Sequence, residues 1–529
     1  MTSTAAVTHR AVPDRAIRTA ALNARHTTAF VAIFAMALTM PMWRDVCGLT
    51  PDSVSYLECA RALRETGDYP PRQVVYPPAY PAVLALLTQS TETPWQAAII
   101  VNSLCHALAA AFVFRLASRR TSTPLAFIAA ACTAASPLLL GQIQYVRSEP
   151  PFTLLVVLAL TAADGTRFES RTGRIVVLGA IVAAAALVRA NGLLLVPAIV
   201  IAHGLGRRHD RLGARKAEPE CGSTAHAGRL GHLPFRILNL FRISKFGFRA
   251  SRLFWFTAVA CAPIAAWLIH RAPYAPQQGY AYYLIHGRDS EPPASGVVEL
   301  WTNRLTTFAP IRLRELAQCV VPEGLGWRLF QPPWDAFTTW CIGLPIALLL
   351  FVRALRGLDA AALFVCMNLP LLFIWPWDEG ARLLAPLAPI VLVTLASYAG
   401  HGPKSEIRNL RFQISDFRSE ISDFRFQISN FARQWRCPCC AAMGVLILIA
   451  LALDLRHAYG NLPRQTARFR ATITRAESII DDWSRTLDPG QPWSATLRQD
   501  DGDKVAYLLA AYLSRRPGNL SEAPIHCPQ

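Results

Sequence analysis

The chain has 529 residues, of which 53% are hydrophobic and only 17% charged, with a net charge of +18. Soluble chains carry about 25% charged residues, and here the apolar residues come in long runs, which excludes an ordinary soluble multidomain protein and points to a polytopic membrane protein. The basic residues sit between those runs and follow no nucleic-acid motif, so membrane topology explains them and no nucleic-acid partner is expected.

The first apolar run, Thr27 to Trp43, follows Arg10, Arg15, Arg18 and Arg25. No small-residue cleavage site follows it, so it reads as a retained signal anchor. Next comes "GLTPDSVSYLECARALRETGDYPPRQVVYPPAYPAVLALL", Gly48 to Leu87. Thr50-Pro51-Asp52 has the chemistry of a helix start: a capping hydroxyl, proline at the first helical position and an acid in the first turn. Val54, Leu57, Ala60 and Leu63 fall on one face, and Arg61, Arg64 and Glu65 point elsewhere. That spacing predicts an interfacial helix ending at Gly67. Tyr76-Pro77-Pro78-Ala79-Tyr80-Pro81 then forms a stiff turn before another apolar helix.

A spanning helix needs about 20 mostly apolar residues. The runs near 27–44, 95–116, 124–141, 150–163, 174–188, 191–206, 253–270, 337–353, 359–376, 383–399 and 440–455 give about eleven transmembrane helices in an all-α chain. With the N-terminus in the cytoplasm, the connections 117–123, 164–174, 207–252, 354–358 and 401–439 face inward, and every one is basic. In 207–252, eleven Lys and Arg face only Asp210, Glu218 and Glu220. The opposite connections, 45–94, 142–149, 189–190, 271–336 and 377–382, carry Asp52, Glu149, Asp378 and Glu379. Arg147, Arg189 and Arg382 also sit at these outer ends.

Residues 401–439 contain a seven-residue repeat, "FQISDFR", "SEISDFR", "FQISNFA", from Phe412 to Ala432. It reads as a cytoplasmic insertion. Cys437, Cys439 and Cys440 follow, without the second ligand pair that a zinc site needs. After the last span, Phe469, Ile473, Ala476, Ile480, Trp483 and Leu487 keep helical spacing and predict a small helical tail outside the membrane. A second short helix is expected near Lys504 to Arg515. The chain thus divides into a membrane core (1–400), the repeat insertion (401–439), and the last span with its tail (440–529).

The first outer loop, "D…Y…A..L…G" followed by "YPPAYP..LALL", resembles that of the GT-C glycosyltransferases, and within them the protein O-mannosyltransferase, aminoarabinose transferase and RgtA/B/C/D-like group. "VRSEPPFTLLVVLAL" (146–160) resembles the family's second outer loop and following span. "LVRANGLLLVPA" (187–198) resembles its arginine-containing turn, and "EGARLLAPLAPIVLV" (379–393) its late arginine-proline segment. The resemblance covers roughly residues 27–400. Two positions depart from the family pattern: Asp52 is followed by Ser53 where a second acid is common, and Leu383 stands where tyrosine is usual.

The resemblance implies a GT-C fold in the inner or plasma membrane, with its active site on the extracytoplasmic face. Its implied activity is transfer of a hexose or pentose from polyprenyl phosphate or diphosphate to an acceptor lipid, glycan or protein. Asp52 would be the general base. Glu149 would orient the acceptor or help hold a divalent metal ion, the one cofactor in view. Arg382, then Arg189 and Arg147, would bind the donor phosphate, because a planar guanidinium donates two hydrogen bonds at once. Tyr76 would line the sugar site. Each residue also has a simpler reading: helix-start stabilisation for the acids, snorkelling to headgroups for the arginines, and an interfacial belt for Tyr76. The alternative activity is a lipid or sugar transporter or flippase. It fits less well, because the spans hold few ionisable groups, His106 being the clearest.

Overall fold

A computed structural model describes residues 11–43, 49–69, 76–88, 94–165, 172–203, 247–272, 296–321, 330, 334–357, 359–375, 380–400, 452–453, 455–456, 459–460 and 462–486. The repeat at 412–432, the cysteines at 437–440, Asp45, Asp378, Glu379, Trp327, His286, the helix expected at 504–515 and nearly all of the 204–252 connection lie outside them, as does most of the run 440–455.

All regular structure among the described residues is helical. In chain order the helices are α1 (Ala11–Thr39), α2 (Pro51–Glu65), α3 (Ala79–Leu87), α4 (Pro94–Ser118), α5 (Thr123–Ala135), α6 (Pro137–Ile143), α7 (Glu149–Gly165) and α8 (Thr172–Val188). There follow α9 (Ala190–His203), α10 (Gly247–Arg271), α11 (Val297–Gln318), α12 (Asp335–Phe337, continuing through a π-helical stretch Thr338–Gly343 into Leu344–Gly357), α13 (Ala360–Phe373), α14 (Ala388–Gly400) and α15 (Leu462–Thr486).

Among the described residues, five helices are long and apolar enough to cross a membrane: Ala24–Trp43, Trp95–Ser118, Arg252–Arg271, Asp335–Leu355 and Ala381–Tyr398. The α5–α6 pair, bent by 44°, makes a sixth if it is one broken span. Pro137 explains the break, since it cannot continue the helix's hydrogen bonding. Shorter apolar helices are α8, α9 and α13.

The predicted interfacial helix is α2. Thr50 caps it with its side chain accepting from Ser53 N, while Ser53 Oγ accepts from Thr50 N, the reciprocal arrangement of a capping box. The chain leaves the helix through Gly67 at φ +74°, a left-handed conformation that glycine takes at no steric cost. Between α8 and α9 it reverses so tightly that a side chain at Gly192 would collide with the Ala185 backbone. The residues 189–190 are thus a turn between two helices, as the sequence suggests.

Residues 271–336, expected as an outer connection, contain the 22-residue helix α11 with Pro310 inside it. Its mixed polarity and internal proline hide it from a hydropathy reading. It buries Arg304, Arg312 and Glu315, and Arg312 bonds Glu315 Oε2 at 2.7 Å. Arg304 and Arg312 also donate to the carbonyls of Ile374 and Leu372 at the end of α13, where the helix dipole favours cations. In the tail, α15 forms as expected, with Ala476 and Ile479 buried, and Tyr459 OH donates to the Leu38 carbonyl of α1.

The helices are tied at one end by a second ion cluster. Arg120, after α4, bonds Asp164 at 2.9 Å and Asp359 at 3.0 Å. Asp359 also caps α13 by accepting from Ala361 N, and Arg353 lies 3.5 Å away. These groups sit at the ends of α7 and α13 opposite Glu149 and Trp375, so the bundle has two distinct polar ends.

Helix α11 crosses α12 in close contact at Gly343, where an added Cβ would lie 2.0 Å from the Leu313 carbonyl oxygen. Gly343→Ala should therefore destabilise the protein by about 1–3 kcal/mol, read as a lower melting temperature in detergent. Gly173→Ala, at a site with open space, should not lower it.

Candidate active site

Four separated segments meet at the end of the bundle formed by the starts of α2 and α7, the α8–α9 turn and the approach to α14. Asp52 is held in the first turn of α2 by the Thr50–Ser53 cap. Glu149 is the first residue of α7 and is 1% exposed. Arg189 occupies the extended residue between α8 and α9. Arg382 lies in a short 3-10 turn, Gly380–Leu383.

Arg382 joins the two acids. Its Nη2 lies 2.6 Å from Asp52 Oδ2, and its Nε donates to Glu149 Oε1. Arg189 Nη1 reaches the same Glu149 oxygen at 2.8 Å. Tyr76 OH donates to the other oxygen of Asp52 at 2.8 Å. Arg147 stands beside them, donating to Gln142 Oε1 at 2.7 Å and lying 4.3 Å over the Tyr145 ring. Burial, then the neighbouring Arg382, disfavours its charge, and Glu149 and Asp52 favour it. All six residues singled out from the sequence, Asp52, Glu149, Arg382, Arg189, Arg147 and Tyr76, are therefore neighbours.

Several members are visible only in three dimensions. Tyr56 packs edge-on against both Tyr76 and Tyr80, with centroids 4.9 and 5.1 Å away. Its hydroxyl is 2.9 Å from Ser148 Oγ, the residue before Glu149. It thus links the helix of Asp52 to the helix of Glu149. Burial raises its phenol well above the usual range, so it acts as a neutral hydrogen-bonding group. Tyr80 donates to Asn102, and Asn102 donates to the Tyr145 carbonyl at 2.9 Å. Tyr56 stands four residues after Asp52, on the same helical face, which is the sequence signal that identifies it.

Residues 75–217 match the sequence model of the family described as dolichyl-phosphate-mannose-protein mannosyltransferase. That stretch, about a quarter of the chain, is similar to a family of membrane glycosyltransferases. The matched stretch includes Tyr76, Arg147, Glu149 and Arg189; Asp52 and Arg382 flank it. Two solved structures are similar to this chain. ArnT from Cupriavidus metallidurans bound to undecaprenyl phosphate is 14% identical, with 88% of this chain and 82% of that one covered and a TM-score of 0.46. The oligosaccharyltransferase AglB from Archaeoglobus fulgidus, in complex with an inhibitory peptide and a dolichol-phosphate, is 13% identical, with 88% and 60% covered and a TM-score of 0.42. No curated protein sequence matches the chain.

The site does not fit a divalent cation between its two acids. A guanidinium already occupies the space between Asp52 and Glu149, and no group of three or more His, Cys, Asp or Glu gathers among the described residues.

Removing Arg382 leaves a buried carboxylate short of its partner, a loss of about 3–5 kcal/mol for such pairs. Arg382→Ala should therefore lower thermal stability sharply. Adding Glu149→Gln should cost less in that background than in the wild type. A double-mutant cycle measured by thermal unfolding should give a coupling of about 0.5–3 kcal/mol, and strict additivity would contradict the bridging role.

Proposed function

We propose that this chain is a membrane glycosyltransferase that moves a sugar from a polyprenyl-phosphate-linked donor to a hydroxyl of a lipid, glycan or protein acceptor. The site lies on the extracytoplasmic face of the inner or plasma membrane, with the N-terminus in the cytoplasm. The observation that carries this reading is the Arg382 bridge between Asp52 and Glu149, with Arg189 on the same glutamate. Among the five charged side chains of the cluster, three are arginines and two are acids, which leaves one positive charge for an anionic ligand. The matched family's description, a transferase using a dolichyl-phosphate sugar, supports a phosphate-linked lipid donor. Sidedness is supported by the basic connections at the other end of the bundle.

The geometry supports the following chemistry. The acceptor oxygen attacks the anomeric carbon as its proton passes to Asp52. The bond from that carbon to the phosphate oxygen breaks, and the lipid phosphate leaves with the bonding electrons. Donor phosphate oxygens compete with Asp52 for the Arg382 guanidinium, so donor binding frees Asp52 to take the proton. The arginines stabilise the charge that grows on the leaving phosphate. Glu149 holds Arg382 and Arg189 in place throughout. Tyr76 orients the Asp52 carboxylate at the edge of the sugar site.

Asp52→Asn should express and fold but lose sugar transfer by about 10²–10⁴-fold, measured with purified protein and labelled polyprenyl-phosphate sugars. Near-normal turnover in that variant would remove Asp52 from the base role. Arg382→Lys keeps the charge but not the planar fork, and should raise the donor KM by about tenfold or more; an unchanged KM would count against phosphate binding there. A transporter or flippase would move the labelled lipid without releasing or transferring its sugar.

A further inference from the structure

Glu149 has two oxygens with unequal surroundings. Oε1 takes both Arg189 and Arg382, whereas Oε2 is buried and meets no donor among the described residues. A buried carboxylate oxygen left in that condition is costly, and native structures supply a partner. Beside Glu149 lies a small cavity lined by His106, Leu139, Gln142, Pro150 and Thr153, barely large enough for one water molecule.

The polar groups around it have definite roles. His106 Nε2 is 3.0 Å from the Ala134 carbonyl, which can only accept, so Nε2 carries the proton and Nδ1 of the neutral ring is an acceptor. Gln142 is oriented by two bonds: Arg147 donates to its Oε1, and its Nε2 donates to the Leu138 carbonyl at 3.3 Å. One N–H of that amide then remains to donate. Thr153 Oγ1 donates to the Glu149 carbonyl within α7. The lining residues thus carry two acceptors, Glu149 Oε2 and His106 Nδ1, and one donor, Gln142 Nε2. That is the complement of a single water making three hydrogen bonds.

We propose that this cavity holds one ordered water donating to Glu149 Oε2 and His106 Nδ1 and accepting from Gln142 Nε2, which makes His106 and Gln142 positioning residues for Glu149. With arginines on Oε1 and the water on Oε2, the carboxylate cannot turn about its last bond. Gln142 also carries Arg147 on its other end, so one amide sets the relative positions of Arg147 and Glu149. The water site stands on the geometry alone; only its kinetic consequence rests on the glycosyltransfer reading above.

The test is a structure of the full chain in lipid nanodiscs at a resolution that shows ordered water. A density peak within hydrogen-bonding distance of Glu149 Oε2, a His106 ring nitrogen and Gln142 Nε2 is expected. An empty cavity, or a protein donor found on Oε2, overturns the proposal. His106→Phe keeps the ring's bulk and removes the acceptor. It should lose the peak and lower kcat by about 10- to 100-fold with the donor KM unchanged. Retention of both peak and kcat would end the positioning role. If that variant fails to fold, the wild-type density decides. Wild-type protein that shows the peak but transfers no sugar would uphold the water site and remove the glycosyltransfer reading.

Discussion

A single guanidinium organises this molecule. Arg382 binds the acid that opens α2 and the acid that opens α7, and it lies 233 positions from Glu149 along the chain. Charges withdrawn from water are tolerated only with good geometry and enough partners. Glu149 is almost wholly buried and has two arginines on one oxygen. The surrounding helices must therefore meet with their ends in register, because a displaced α7 or α8 would strand that carboxylate.

The second ion cluster imposes the same condition at the other end. Arg120, Asp164, Asp359 and Arg353 come from the ends of α4, α7 and α12 and the start of α13. Helix α7 is 17 residues long, roughly 25 Å at 1.5 Å per residue, and it is pinned at both ends. Between the clusters the packing is apolar, built largely from alanine, leucine and valine. Alanine-rich faces let helices approach closely, which suits packing where hydrocarbon gives no hydrophobic drive between spans. The outcome is a helical bundle with one ion cluster at each end. Helix α11 places Arg304 and Arg312 on the carbonyl end of α13, just before the turn that carries Arg382.

Asp52 is less buried than Glu149, with 28% of its side chain exposed against 1%. It is therefore the more accessible carboxylate, and Glu149 is the one enclosed by protein. The tyrosines divide along the same line: Tyr76 touches Asp52, while Tyr56 ties α2 to the base of α7.

Much of this is local and so was legible in the chain. The Thr50 cap, the end at Gly67, the α8–α9 turn at Arg189 and the apolar runs follow from propensity and hydropathy acting over a few residues. The sidedness expected from the basic connections assigned Asp52, Glu149, Arg189 and Arg382 to a common side, and the structure brings these four residues together. Helix α11 escaped that reading, since its mixed polarity gives no apolar run and its arginines are buried by tertiary contacts. Sidedness places groups on the same plane but sets no distance between them. That Arg382 spans both acids, that Arg189 shares Glu149 Oε1, and that Tyr56 reaches Ser148 were decided by packing, which fixes the lateral order and rotation of helices through contacts between residues far apart in the chain.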